Sequence, residues 1–236
     1  EAKMEIAILM AAGMGTRMKP LTKMTPKPLI EVNGKPLIET IIEGLKKRRI
    51  DKIILVVGYL AEKFEYLYKK YDNLIIVHNM EYETVNNISS VYAAKEYLKE
   101  GDCFICEADL YVSDESIFDV NLVDSCYYGK FVPGYSNDWC FDLDRNGIIT
   151  RIGIGGNNKF NMVGVAYLKE KDAKVLYNAI TKEYGESGYE KMFWDDVVNK
   201  YINEFQLKIH EVESDQIIEI DTVEELETVR RRYASE

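Results

Sequence analysis

Histidine is almost missing from this chain. Its 236 residues contain two, His78 and His210, and neither has a metal-ligand neighbour at useful spacing. A zinc site is therefore not expected, and no Ser-His-Asp or Cys-His arrangement competes for nucleophilic catalysis. Cysteine is also sparse. The pair Cys103 and Cys106 has C-x-x-C spacing, but it lies in the apolar run Cys103-Phe104-Ile105-Cys106. Residues three apart on a strand face opposite sides, which argues against a zinc knuckle or redox turn and favours core thiols. Cys126 and Cys140 complete the set. Free thiols and the lack of an export signal point to the cytoplasm. No apolar run reaches membrane-spanning length, so membrane insertion is not expected. Positive charge is in deficit: 30 Lys and Arg face 40 Asp and Glu, a formal net charge of −10. A nucleic-acid partner is excluded on that ground, because it would need a basic surface. Internal repeats, low-complexity tracts and long linkers are absent as well. Met4 reads as the native start, with Glu1-Ala2-Lys3 as a remnant, and 4–236 as one domain.

Apolar residues make up 47% of the chain, enough for a sizeable core. Strand-like runs at 6–10, 52–57, 74–77 and 102–106 alternate with helical patterns at 36–47, 60–71 and 87–98. Strand, helix, strand, helix predicts a parallel sheet with right-handed crossovers. After about residue 110 the pattern changes. Short strands are expected at 125–132, 139–143, 148–152 and 162–168, with the turn Asp144-Arg145-Asn146-Gly147 between two of them. Helices at 170–184 and 190–203 follow, then strands at 206–212 and 217–220 and a helix from Thr222. The expected fold class is α/β: a three-layer, Rossmann-like arrangement with a mixed, mainly parallel central sheet and a small antiparallel part.

The strongest local signal is Met10-Ala11-Ala12-Gly13-Met14-Gly15-Thr16-Arg17-Met18, followed by Thr25-Pro26-Lys27-Pro28-Leu29. Gly13 and Gly15 come directly after a strand, at its carboxyl end, where open α/β sheets bind ligands. Glycines let backbone N–H groups approach phosphate oxygens without Cβ interference. Between Gly13 and Lys35 there are five basic residues, Arg17, Lys19, Lys23, Lys27 and Lys35, against one acid, Glu31. In so acidic a chain that inversion fits a polyanion such as a triphosphate. No Gly-Lys-Ser/Thr follows, and position 18 is Met rather than Gly, so neither a Walker P-loop nor a dinucleotide fingerprint is present.

Asp109 follows one apolar strand and Asp221 another. Carboxylates at the carboxyl ends of separate strands face the rim that carries the glycine loop. Two of them can hold one Mg²⁺, which prefers carboxylate oxygens, substrate phosphate and water. Asp221 has a competing role as N-cap of the last helix, since Thr222-Val223-Glu224-Glu225 follows it.

The glycine loop with Pro20 and Thr25-Pro26-Lys27-Pro28-Leu29 resembles the signature of the NTP-transferase superfamily, which includes sugar-phosphate nucleotidylyltransferases and phosphocholine cytidylyltransferases. The resemblance runs to Glu219-Ile220-Asp221. It implies that the loop, Met10, Ala11, Ala12, Gly13, Gly15 and Thr16, holds the triphosphate. It further implies catalytic roles for Arg17, on the β- and γ-phosphates, and Lys27, near the α-phosphate, and Mg²⁺ as the cofactor on Asp109 and Asp221. Asn87, Ser89 and Ser90 open a helix and read as ordinary capping; the resemblance places them beside the nucleobase, with cytosine favoured.

The acceptor end is aromatic and acidic. Trp139, Trp194, Glu107 and Asp195 can form a pocket for a quaternary ammonium through cation–π attraction and charge, or can be ordinary packing. Similar stretches in bacterial phosphocholine cytidylyltransferases favour the pocket. The expected function is therefore transfer of CMP from CTP to phosphocholine, with 2-aminoethylphosphonate or a sugar 1-phosphate as alternative acceptors. Residues 4–110 are expected to hold mainly the nucleotide and 111–236 mainly the acceptor. The expected state is a monomer or homodimer.

Overall fold

Strand β1 (Met4–Ala11) has no exposed surface at Ile6, Ala7, Ile8 or Leu9. An unbroken apolar run of this kind belongs in a sheet covered on both faces. The computed structural model describes residues 3–234. Glu1 and Ala2, and the last two positions of the expected 4–236 domain, lie outside the described residues.

A short hairpin, β2 (Glu31–Val32) and β3 (Lys35–Pro36), leads into helix α1 (Leu37–Arg48). Strand β4 (Lys52–Val57), helix α2 (Glu65–Lys70), strand β5 (Leu74–His78), helix α3 (Ile88–Ala93) and strand β6 (Gly101–Glu107) follow. Both helices after β4 are shorter than the apolar period suggests: 3₁₀ turns occupy Ala61–Phe64 before α2 and Lys95–Lys99 after α3. The remaining elements are β7 (Leu110–Val112), β8 (Cys126–Leu143), β9 (Ile149–Leu168), α4 (Glu170–Glu183), α5 (Trp194–Lys200), β10 (Lys208–Glu211), β11 (Ile217–Glu219) and α6 (Val223–Arg232).

Seven strands form the central sheet in the order β10-β8-β9-β6-β1-β4-β5. Four neighbouring pairs are parallel, while β9 runs antiparallel to both β6 and β8. The sheet is thus mixed and mainly parallel, as the sequence predicts. One face, with Ala7, Leu9, Phe104 and Cys106, packs on Ile38, Ile41, Leu45 and Leu67 of α1 and α2. The other, with Ile6, Ile8, Cys103 and Ile105, packs on α3, α4 and α5. Cys103 and Cys106 accordingly face opposite layers, and all four cysteines are free and buried. A third cluster joins Met18, Ile30, Val32 and Leu37 to Ile220, Leu226 and Val229, so the last helix is fastened beneath the glycine loop.

The second half departs from the sequence reading. The four short strands expected between 125 and 168 are two long ones, β8 and β9, of 18 and 20 residues. They form a ribbon broken by register shifts. Pro133-Gly134 and Gly153 to Asn158 look like chain breaks, but here they are bulges. Gly134, Gly155 and Asn158 take positive φ, and the Asn158 side chain accepts a 2.7 Å hydrogen bond from the Gly134 N–H. No helix among the described residues is long and apolar enough to cross a membrane.

Candidate active site

Next to β1 the strand order reverses direction, with β4 on one side and β6 on the other. The chain segments leaving β1 and β6 diverge there and leave a crevice, the switch point at which open α/β sheets bind ligands. Met10 and Glu107 are partners in the ladder, and the Ala108 N–H donates to the Met10 carbonyl at 3.1 Å. The glycine loop and the segment Glu107 to Asp109 are thereby placed side by side.

The loop is held by its own residues. The Thr22 hydroxyl donates to the Gly15 carbonyl at 2.8 Å, and the Tyr59 hydroxyl donates to the Thr22 carbonyl at 2.6 Å. Gly15 sits at φ +59°, and a Cβ there would come within 3.0 Å of Thr22 and 3.1 Å of Lys27. Glycine is thus required by the fold at 15. At Gly13 a Cβ would meet nothing within 4 Å, so the protein itself does not demand a glycine; open space for a ligand lies there instead.

Lys27 is 7% exposed and joins the two aspartates. Its Nζ lies 2.9 Å from Asp109 Oδ2 and 3.5 Å from Asp221 Oδ1. Arg17 Nη2 lies 3.1 Å from the same Asp221 oxygen. Burial works against the Lys27 ammonium, but Asp109, Asp221 and Glu219 outweigh it and raise its pKa. Asp221 is not the helix cap. Thr222 is: its hydroxyl accepts from the Glu225 N–H at 3.1 Å, while Glu225 accepts from the Asp221 N–H at 2.9 Å. The Asp221 carboxylate is left free to face the crevice. Among the described residues no cluster of three metal-ligating side chains exists. The pair Asp109 and Asp221 offers carboxylate oxygens that already share one cation, the Lys27 ammonium, and that donor set suits a Mg²⁺ whose other ligands are phosphates and water.

Three adjoining cavities surround this cluster. One of about 220 Å³ is lined by Met10, Ala11, Ala12, Gly13, Gly15, Lys27, Asp109 and Asp221. A second, of about 300 Å³, carries Thr16, Asn87, Ser89 and Ser90 together with Asn79, Tyr82 and Phe193. Ser89 is 2% exposed, and its hydroxyl is used inside the protein, accepting from Asn79 Nδ2 at 2.8 Å and donating to the Asn86 carbonyl at 2.8 Å. Asn87 Oδ1 accepts from the Trp194 N–H at 2.7 Å.

The third cavity, about 360 Å³, holds Glu107, Trp139 and Asp195, with Lys130, Asn161, Gly164 and Phe193. Trp194 is not in its wall. It is 3% exposed and stacks on Tyr127 in the core, at 5.5 Å between centroids. The aromatic partner of Trp139 is Phe193, edge to face at 6.0 Å. The start of α5 decides between the two neighbours, because Phe193 precedes the helix and points out while Trp194 opens it and points in. The Glu107 carboxylate has no hydrogen-bond partner among the described residues. Burial, then Asp109, Glu219 and Asp195, push its carboxyl well above the usual range. Burial pushes Asp195 up to about 7, opposed by a 2.9 Å hydrogen bond from the Tyr127 hydroxyl. Glu219 is also raised to about 7, by burial and then by Asp221 and Asp109. Glu219, Lys130, Asn161, Gly164 and Phe193 were not legible as site residues. For Glu219 the signal was its place two residues before Asp221 on a strand; Lys130 and Asn161 had none.

A cavity over a glycine loop, a buried lysine between two strand-end acids, and an adjoining acidic cavity define an enzyme that moves a nucleotidyl group. The sequence model of the family described as nucleotidyl transferase matches residues 6–124, half of the chain, and the chain belongs to that family. It is 52% identical over 227 residues to a 2-aminoethylphosphonate cytidylyltransferase of Lancefieldella rimae, covering 96% of this chain and 92% of that one. It is 35% identical to a choline-phosphate cytidylyltransferase of Streptococcus pneumoniae, over 93% of this chain and 94% of the relative. The solved structure of the CTP:phosphocholine cytidylyltransferase from Streptococcus pneumoniae superposes with a TM-score of 0.88 at 33% identity, covering 97% of this chain and 99% of that one.

Proposed function

We propose that the chain transfers CMP from CTP to 2-aminoethylphosphonate, or to an equally small phosphorylated primary amine, and releases pyrophosphate. The observation that carries this reading is the pair Glu107 and Asp195 in the wall of the third cavity, next to the Lys27 cluster. Asp195 is buried and Glu107 half-buried, both carboxyls are pushed upward in the empty site, and a cation between them would favour their ionised forms. An ammonium group with three N–H donors satisfies their oxygens directly, whereas a trimethylammonium has no N–H to give. Only one side of the cavity, Trp139 and Phe193, is aromatic. The 52% relative, over nearly the whole of both chains, supports the aminophosphonate against phosphocholine, whose enzymes stand at 31% and 35%.

On this reading an anionic oxygen of the acceptor attacks the α-phosphorus of CTP in line. The new O–P bond forms as the bond to the β-phosphate bridging oxygen breaks, and pyrophosphate carries away the electron pair. The nucleophile is already ionised, so no side chain need act as base; catalysis is positioning and charge stabilisation. The Gly13 to Thr16 backbone and Arg17 hold the outer phosphates. Lys27 neutralises charge at the α-phosphate. Asn87 and Ser90 border the base and ribose. Mg²⁺ on Asp109 and Asp221, when bound, would supply a Lewis acid to the phosphates. Most of the nucleotide's contacts then come from 4–110, and the acceptor's from Glu107 and the segments 130–195.

Pyrophosphate release with CTP tests the proposal against 2-aminoethylphosphonate, phosphoethanolamine, phosphocholine and glucose 1-phosphate in turn. Turnover is expected with the primary amines, with phosphocholine well behind. Preference for phosphocholine or the sugar phosphate would overturn the acceptor assignment.

A further inference from the structure

Gly164 lies on β9 one step beyond Val165, whose ladder partner is Cys106. It therefore faces Glu107 across the strand pair. Its φ is +93°, and a Cβ built on it would lie 2.6 Å from Glu107 Oε2, 3.2 Å from Glu107 Cδ and 3.0 Å from Leu110 Cδ1. The carboxylate of Glu107 thus occupies the volume that any other residue's side chain would claim. The space lined by Glu107, Gly164, Tyr127, Trp194 and Asp195 is small, about 10 Å³, against about 360 Å³ in the acceptor cavity. A displaced carboxylate finds most of its room forward, in the acceptor cavity that Glu107 and Gly164 both line.

We infer that Gly164 is a positioning residue for the acceptor: its missing side chain seats the Glu107 carboxylate in the cavity wall beside Asp195, at the depth where both receive the acceptor's amine. This rests on the reading that Glu107 binds that amine. The consequence is a size relation between two positions. Glycine at 164 goes with a glutamate at 107, and a larger residue at 164 goes with a shorter acid at 107.

A double-mutant cycle tests it. Gly164→Ala should raise the KM for 2-aminoethylphosphonate roughly tenfold to a hundredfold, the range for losing a hydrogen bond to a charged group, with the KM for CTP unchanged. Glu107→Asp in the wild-type background should also raise the acceptor KM, because the carboxylate is withdrawn. Combined with Gly164→Ala, the same change should lower the acceptor KM, a reversal of sign that independent sites do not show. Should Gly164→Ala fail to fold, the double variant is compared with Glu107→Asp: an acceptor KM below that of Glu107→Asp, with the KM for CTP unchanged, supports the inference, and an equal or higher one overturns it. If Glu107→Asp alone leaves the acceptor KM unchanged, the amine reading of Glu107 falls and the inference with it. If Glu107→Asp alone raises the KM but does not improve Gly164→Ala, the inference alone falls, and glycine is needed only for its backbone angle.

Discussion

Lys27 sits where two carboxylates would otherwise face each other across the crevice, and that fixes what its removal does. Lys27→Ala should lower kcat by about 10²–10³, the loss typical of one preorganised donor to a charged transition state. Circular dichroism should remain that of a folded protein, because the surrounding acids open towards the cavity and can be solvated. Wild-type turnover in this variant would remove Lys27 from the chemistry. Asp195 carries a prediction in pH. Its folded-state pKa of about 7 lies above its ordinary 3.8, so between those values the folded protein keeps a proton that the unfolded chain has released. Stability therefore falls as pH rises across that window, by up to about 1.4 kcal/mol per unit, and the loss is complete above it. Below the window the group contributes no pH dependence. Asp195→Asn should flatten the fall in melting temperature between pH 5 and pH 8 in the ligand-free protein. The same ionisation prepares the site for an ammonium, so the acceptor KM of the wild type should drop as pH rises through about 7. A pH-independent KM would dissociate Asp195 from the amine.

Among the elements, the junction of β11 and α6 places a functional group by ordinary capping. Thr222 takes the N-cap, and Asp221 is turned into the crevice. Thr222→Ala should lower stability by about 1 kcal/mol in urea unfolding and increase amide exchange at 219–225 without altering the rest of the sheet. An unchanged unfolding midpoint would show that the cap is not what holds this junction. The same junction shows where the sequence could be read and where it could not. The glycine loop, Asp109 and Asp221 were legible because each is marked by its immediate neighbours: a strand that ends, then the residue. Choosing between Asp221 and Thr222 as the cap was not, since both suit the position and tertiary contacts decide. Phe193 and Trp194 are a similar case, resolved by the start of one short helix. Asn87 is spoken for by the Trp194 backbone, 107 residues away in sequence, a partner no local pattern announces. In sequence the ribbon of β8 and β9 resembles four strands, because its glycines mark bulges rather than turns and only the partner strand reveals which.

At the scale of the molecule, the site joins the two ends of the chain: the Arg17 and Asp221 side chains that meet are 204 residues apart. A nucleotide bound between them ties the glycine loop, the end of β6 and the α6 junction into one unit, and unfolding any of the three must release it. CTP at about a hundred times its dissociation constant stabilises by roughly 2.7 kcal/mol, which in a chain of this size is an increase in melting temperature of about 5–10 °C. The charges around Lys27 make that increase conditional. Asp109, Asp221, Glu219 and Glu107 all lie at or near the place a triphosphate would enter, in a chain whose net charge is already −10. Lys27 and Arg17 are already matched by the ion-paired Asp109 and Asp221, which leaves no positive charge over for a polyanion, so binding requires a further cation between them. CTP with Mg²⁺ should therefore raise the melting temperature, CTP with EDTA should raise it little, and Asp109→Asn with Asp221→Asn should abolish the difference between the two conditions. An equal rise with and without Mg²⁺ in the wild type would show that the two aspartates hold no metal when the nucleotide binds.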